Sequence, residues 1–380
     1  MGVLVPISGY DPRYRENYSY QAFLPHPLPD RVELDGKTYQ AVTAATAAVA
    51  RLDQAAAGLP NPMLLARPTI RREAVSTSAL EGTYAALSDV LEADLVAGEE
   101  LSGALLEVIN YVRAAEQAYD WVKERPITVG LLREVHAILV RGTRGDGPDA
   151  GRVRTIQVFI GLNTGAVEGA RFVPPPPGDQ LDAGLAAWAR WINEADLPVV
   201  VKMALGHYQF EALHPFNDGN GRLGRLVCVL QLLAAGELRV PLLDLSAWFE
   251  QRRREYQDHL LQVSVTGGFD PWVRFFSEAV RAQAASALRR VDALLEWRAH
   301  AMERLRAARL RGVAERIVED LIGYPVLTPT LASTRYGVSY PAANTAIGRL
   351  EALGLLRERT GQRYRRLFVA TDVLRLIETR

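Results

Sequence analysis

Cysteine is almost absent from the chain: Cys228 is the sole one, so no disulfide forms within it. Set among Val227, Val229 and Leu230, it reads as a small buried hydrophobe rather than a nucleophile. No apolar run reaches the length needed to span a membrane as a helix. Residues Met1 to Asp11 lack the basic start and apolar centre of a signal peptide, so a cytoplasmic protein with no membrane partner is expected. An excess of one charge is missing too. Lys and Arg number 44, Asp and Glu 44, and no global field favours nucleic acid or an anionic surface. What remains is an apolar fraction of 48% spread over 380 residues, enough to bury more than one core.

The chemistry is concentrated in His214-Pro215-Phe216-Asn217-Asp218-Gly219-Asn220-Gly221-Arg222-Leu223-Gly224-Arg225. Histidine titrates nearest neutrality, so His214 suits proton transfer. Asp218 offers the hard oxygen that Mg²⁺ prefers. Gly219-Asn220-Gly221 frees the backbone to turn successive N–H groups toward an anion. The apolar run Leu223 to Leu233 predicts a helix opening at that turn, and helix N-termini attract phosphate. Arg222 and Arg225, three apart, share a helix face that suits an extended polyphosphate. A nucleotide-transfer site follows.

This string resembles the Fic family signature, His-x-Phe-x-Asp/Glu-Gly-Asn-Gly-Arg-x-x-Arg, at every fixed position. The resemblance implies AMP transfer from ATP to a Ser, Thr or Tyr hydroxyl of a protein, with auto-modification included. It makes His214 the catalytic base, Asp218 the Mg²⁺ ligand, and Glu81, Gly219, Asn220, Gly221, Arg222, Gly224 and Arg225 the ATP-binding set. Arg225 would pair with the γ-phosphate, while Arg222 could equally brace the loop.

Upstream, Glu73 to Thr83 resembles the family's inhibitory helix, Ser/Thr-x-x-x-Glu-Gly/Asn, with Thr77 and Glu81 in the specified places. Their spacing of four puts both on one helix face, and Gly82 is a local break. The resemblance implies that Glu81 pairs with Arg225 and takes the ground the γ-phosphate needs. It leaves a second role for Glu81 open, the orientation of a water for AMP removal. Between the motifs, Arg154 to Gly161 alternates like a strand, Asn163-Thr164-Gly165 supplies a turn, and Ala170 to Val173 returns before Pro174 to Pro177. This hairpin resembles the family's flap, with Ile160 and Gly161 aligning the target's extended segment. Leu245 to Tyr256 resembles a stretch beside the nucleotide base. There Arg252, added to the ATP-binding set, stands where the family often has Asn.

The expected architecture is mainly α: a helical Fic core with a β-hairpin flap, an N-terminal helical region and a C-terminal winged helix. The expected divisions are 1–100 (with the inhibitory helix), 101–297 (catalytic core) and 298–380 (winged helix). Residues before the first helix read as irregular chain followed by a hairpin turning at Asp35-Gly36. That turn explains Gly36-Lys37-Thr38 better than a phosphate loop does, because position 31 is Arg. Helices are expected near 42–57, 68–81, 84–97, 101–124, 127–142, 179–195, 198–212, 246–265 and 270–296. In the last part Thr328-Pro329 caps a short helix ended by Gly337, and Ser339-Tyr340-Pro341 starts the next. A hairpin with arginines at 357, 359, 363, 365 and 366 completes it. Those arginines suit phosphate contacts, and the same fold serves protein docking or a homodimer. The alternative function is a nucleotide-responsive DNA-binding regulator in which the Fic core is a sensor.

Overall fold

Apolar residues recurring at helical spacing set most of the architecture. The computed structural model describes residues 2–11, 15–93, 95, 101, 103–161, 167–361 and 366–379. Two strands open the chain, β1 (Gly2–Asp11) and β2 (Glu16–Pro25), paired antiparallel from Gly2↔Pro25 to Asp11↔Glu16. The irregular N-terminus expected from its Tyr and Pro content is therefore a long hairpin. Its Ile7 and Ala22 pack with Phe159, Val167 and Val173, and Phe23 N–H donates to the Val173 carbonyl at 2.9 Å.

No hairpin forms at Asp35-Gly36; α1 (Gly36–Ala56) begins there instead. Asp35 Oδ1 accepts from Thr38 N–H at 2.7 Å, an N-cap bond. The start is locked to α11 (Asp270–Ala307), where Arg274 reaches Asp35 Oδ2 at 2.9 Å and Thr38 Oγ1 donates to Asp270 Oδ2 at 3.0 Å. Asp-Gly serves a turn and a cap alike, and these distant partners chose the cap.

Three helices follow: α2 (Met63–Leu80), α3 (Leu87–Ala93) and α4 (Gly103–Trp121), then α5 (Val129–Val140), α6 (Asp179–Glu194) and α7 (Val199–Leu213). The indoles of Trp188 on α6 and Trp272 on α11 donate to the Gly206 and Ala204 carbonyls at 2.8 and 2.7 Å. Their burial leaves α7 enclosed on most sides, so its C-terminus is held rigidly. After α8 (Asn220–Ala234), the helix expected over 246–265 is divided at Arg252 (φ −122°, ψ 31°) into α9 (Ser246–Gln251) and α10 (Arg253–Thr266). The 38-residue α11 runs on without a break through residue 297.

Among the described residues of the flap segment the two arms meet at one antiparallel bridge, Ile160↔Phe172. The ladder does not extend back to Arg154. There the Arg154 side chain turns into the core, and Gln157 Nε2 donates to the Pro174 carbonyl at 2.9 Å in place of a strand partner. The expected turn at 163–165 lies outside the described residues.

The C-terminal part contains α12 (Val313–Asp320), β3 (Val326–Leu327), α13 (Pro329–Tyr336), α14 (Tyr340–Ala352), β4 (Arg357–Glu358), β5 (Phe368–Val369) and α15 (Thr371–Glu378). Its strands form a small antiparallel sheet in the order β3-β5-β4. Thr328 and Ser339 cap α13 and α14 through side-chain oxygens, and Gly337 ends α13 at φ 64°. Arg363 and Arg365 lie outside the described residues. Among the described residues no helix is long and apolar enough to cross a membrane.

Candidate active site

His214 ends α7 in the left-handed region, φ 48° and ψ 60°, unusual for a residue with a Cβ. Arg154 maintains it. Its buried guanidinium donates to the His214 carbonyl at 2.8 Å, to Ile156 at 3.1 Å and to Pro175 at 2.5 Å, and its N–H donates to the Pro215 carbonyl at 2.8 Å. From the sequence Arg154 is expected only as a strand residue. Burial lowers Arg154 to about 10, which leaves it charged at neutral pH.

Burial first, then the nearby Arg154 charge, lowers the His214 imidazole to about 4, against the opposing pull of Glu81 and Asp218. The ring is neutral at pH 7 and free to accept a proton. A nuclear magnetic resonance titration should place its midpoint near 4 rather than the ordinary 6.5; a midpoint at 6.5 would contradict the buried, Arg-flanked setting. In an Arg154→Met variant the midpoint should rise, since a repelling charge is gone. Folding stability should fall with it, by about 1.5–3 kcal/mol or more, because several carbonyls lose a charged donor, and a lowered thermal midpoint would report the loss.

Past His214 the chain turns through Asp218 to α8. Gly219 takes φ +77° to start the helix. Asn220 closes the loop on itself: Oδ1 accepts from Phe216 N–H at 2.9 Å and Nδ2 donates to the Phe216 carbonyl at 2.8 Å. Its side chain is thus committed to loop shape, leaving the helix N-terminus open. Arg222 departs from the expected ATP contact. It is fully buried and faces Glu107 Oε2 at 3.5 Å and Asp218 Oδ1 at 3.4 Å, bracing the loop from behind.

Arg225 faces the cavity. Nε donates to Thr77 Oγ1 at 2.7 Å, and Nη2 donates to the Thr77 carbonyl at 3.1 Å and to Glu81 Oε1 at 2.7 Å. Burial works against ionisation of Glu81, yet the Arg225 charge prevails and holds its carboxyl below the usual value. Glu81 sits where α2 ends, just before Gly82 at φ +85°. Gly221 is what lets the pair form, since a Cβ there would lie 2.1 Å from Glu81 Oε1. Gly224 leaves room in the same way for Glu211 Oε1, 2.8 Å from where its Cβ would be.

These groups converge on a cavity of about 350 Å³ lined by Glu81, Ile160, Gly161, Glu211, His214, Gly221, Arg225, Arg253, Tyr256 and Gln257, among others. Arg252 is not among them. Its guanidinium lies over the Trp248 ring, 4.3 Å from the centroid, while its neighbours Arg253 and Gln257 on α10 line the cavity instead. Glu211 was also missed, although its place three residues before His214 sets it on the same helix face. Burial raises Glu211 to about 7. Arg171, also in the lining, pairs with Asp258 and ties the flap segment to α10.

Among the described residues no group of three or more His, Cys, Asp or Glu side chains could hold a metal ion. Asp218 fits a cation shared with phosphates: Oδ1 accepts from Gly219 N–H at 2.7 Å, and the side chain keeps 31% of its surface exposed. His214 facing a glycine-opened helix N-terminus, with a guanidinium beyond, suits an extended anion with a nucleophile placed against it.

Residues 126–232 match the Fic/DOC family, and residues 39–120 match the Fic/DOC family N-terminal region. The protein adenylyltransferase Fic of Drosophila yakuba is 30% identical over 207 residues, covering 51% of this chain and 38% of the relative. That of Culex quinquefasciatus is 32% identical over 155 residues, 40% of this chain and 27% of the relative. The chain thus spans about two fifths, or less, of the length of these curated relatives. The fold is that of Fic proteins. A Fic family protein from Desulfovibrio desulfuricans G20 superposes with a TM-score of 0.57 at 20% identity, covering 90% of this chain and 98% of that one. Fic-1 (residues 134–508) from C. elegans gives 0.52 at 21% identity over 68% and 74%.

Proposed function

We propose that the protein transfers AMP from ATP to Ser, Thr or Tyr hydroxyls of proteins, itself included, and that Glu81 restrains it. The observation that carries this is Arg225 held by Glu81 and Thr77 inside the cavity that His214 lines. In the reaction the hydroxyl oxygen bonds to the α-phosphorus and the bond to the β-phosphate oxygen breaks. Pyrophosphate leaves, and His214 takes the hydroxyl proton. The α8 N-terminus and the amides of Gly219 to Gly221 stabilise charge on the phosphates. Asp218 would hold Mg²⁺, which supplies neutralisation of the phosphate charge when bound. Ile160 and Gly161 would align the target chain, and the N-terminal hairpin that packs on Phe159 and Val173 would support them.

We read α2 as the inhibitory helix, with residues 1–100 the regulatory part, 101–297 the catalytic core and 298–380 a winged helix. Arg359 pairs with Glu92 of α3, and Arg366 donates to Asn344 Oδ1 at 2.6 Å. Both are engaged within the chain, which favours a protein-contact role; a mobility shift with DNA at low salt would argue the reverse.

The deciding experiment is intact-mass spectrometry of the Glu81→Gly protein after incubation with ATP and Mg²⁺. A gain of one or more AMP groups, absent when His214 is also replaced, is the expected result. No gain in the presence of bound ATP would overturn the reading and favour a nucleotide sensor.

A further inference from the structure

The helices on either side of Glu81 both dock on the C-terminal part of the chain. At the start of α2, Gly323 packs so closely that a Cβ there would lie 2.7 Å from the Leu64 carbonyl. One turn on, the Arg67 guanidinium lies over the Tyr324 ring, 4.2 Å from the centroid. Mid-helix, Arg72 donates to the carbonyl of Ile377 in α15 at 2.5 Å and pairs with the buried Asp244 at 3.0 Å. After the Gly82 break, Leu91 of α3 is buried against Val326 of β3 and Val369 of β5. Glu92 pairs with Arg359 beside β4. The segment that carries Thr77 and Glu81 is thus gripped at both ends by one module.

We propose that this C-terminal module sets the strength of the Glu81–Arg225 pair, so that whatever shifts the module releases the restraint. The proposal rests on reading that pair as inhibitory. Between the two grips lies a short turn: the N–H groups of Glu81, Gly82 and Thr83 donate to Ser78 or Ala79 carbonyls at 2.9–3.0 Å. Apart from Thr83 Oγ1, which donates to Glu107 Oε2 at 2.8 Å, the turn carries few bonds of its own, so its geometry follows the helices that flank it. Loosening α3 should let Glu81 leave Arg225 without unfolding α2.

Amide hydrogen exchange of residues 77–83 in the full chain, without nucleotide, tests this independently of catalysis. Glu92→Arg and Arg359→Glu each put like charges together; the double exchange restores an opposite pair. Each single variant should speed exchange in this turn by about three- to tenfold, and the double variant should restore it. Leu91→Ala, which removes apolar contact without adding charge, should speed it as well. Unchanged exchange in all three single variants, or an increase in the charge variants that the double exchange does not reverse, overturns the proposal. Incorporation of AMP from ATP should follow the same order. If exchange behaves as expected but no variant incorporates AMP, the coupling stands and the transfer reading fails instead.

Discussion

His214→Ala is expected to lower AMP incorporation by about 10²–10⁴-fold, the usual worth of a positioned general base. Two features make this more than a loss of one contact. Burial and Arg154 keep the ring neutral at pH 7, so the native base needs no prior deprotonation. The backbone at 214 is fixed by bonds to its carbonyl and to that of Pro215, and these do not involve the imidazole. The anion loop, closed by Asn220 on Phe216, should therefore survive the substitution. ATP affinity measured by calorimetry should stay near that of the native chain while the rate collapses. A rate within twofold of native would remove His214 from the reaction.

Glu81→Gly is expected to act in the opposite direction, raising incorporation about ten- to a hundredfold. The range corresponds to about 1.5–3 kcal/mol for a hydrogen bond between charged groups. In the native chain Arg225 spends Nη2 on Glu81 Oε1, while Thr77 holds Nε through its hydroxyl. Removing the carboxylate frees one N–H of Nη2, whose other bond runs to the Thr77 carbonyl, and deletes a negative charge from the ground a γ-phosphate would take. Thr77 still fixes the guanidinium's direction, so the freed arginine is pre-oriented rather than loose. Initial rates of AMP incorporation at saturating ATP report the effect, and equal rates in both proteins would rule out restraint by Glu81.

Much of the fold was legible because it is written in short-range chemistry. The caps at Thr328 and Ser339, and the turn glycine Gly337, lie within a few residues of the helices they bound. The errors share one cause. Asp35-Gly36 satisfies the local rules for a hairpin turn and for a helix start equally well, and partners on α11 decide between them. The hairpin of β1 and β2 hides behind Pro6 and a scatter of tyrosines, because its strands are defined by pairing with each other and by packing on the flap segment.

The same division runs through the site. From His214 to Arg225 the sequence alone determined the chemistry: a cap, a glycine turn and a helix start bring those groups together over twelve contiguous residues. Tertiary structure decided which of them face the cavity. It turned Arg222 inward to Glu107 and laid Arg252 on Trp248. It also brought Arg154 from 60 residues away to hold His214, and Glu81 from 144 residues away to hold Arg225. Local backbone geometry can be read along the chain; a buried charge finds its partner only once distant helices have packed around it.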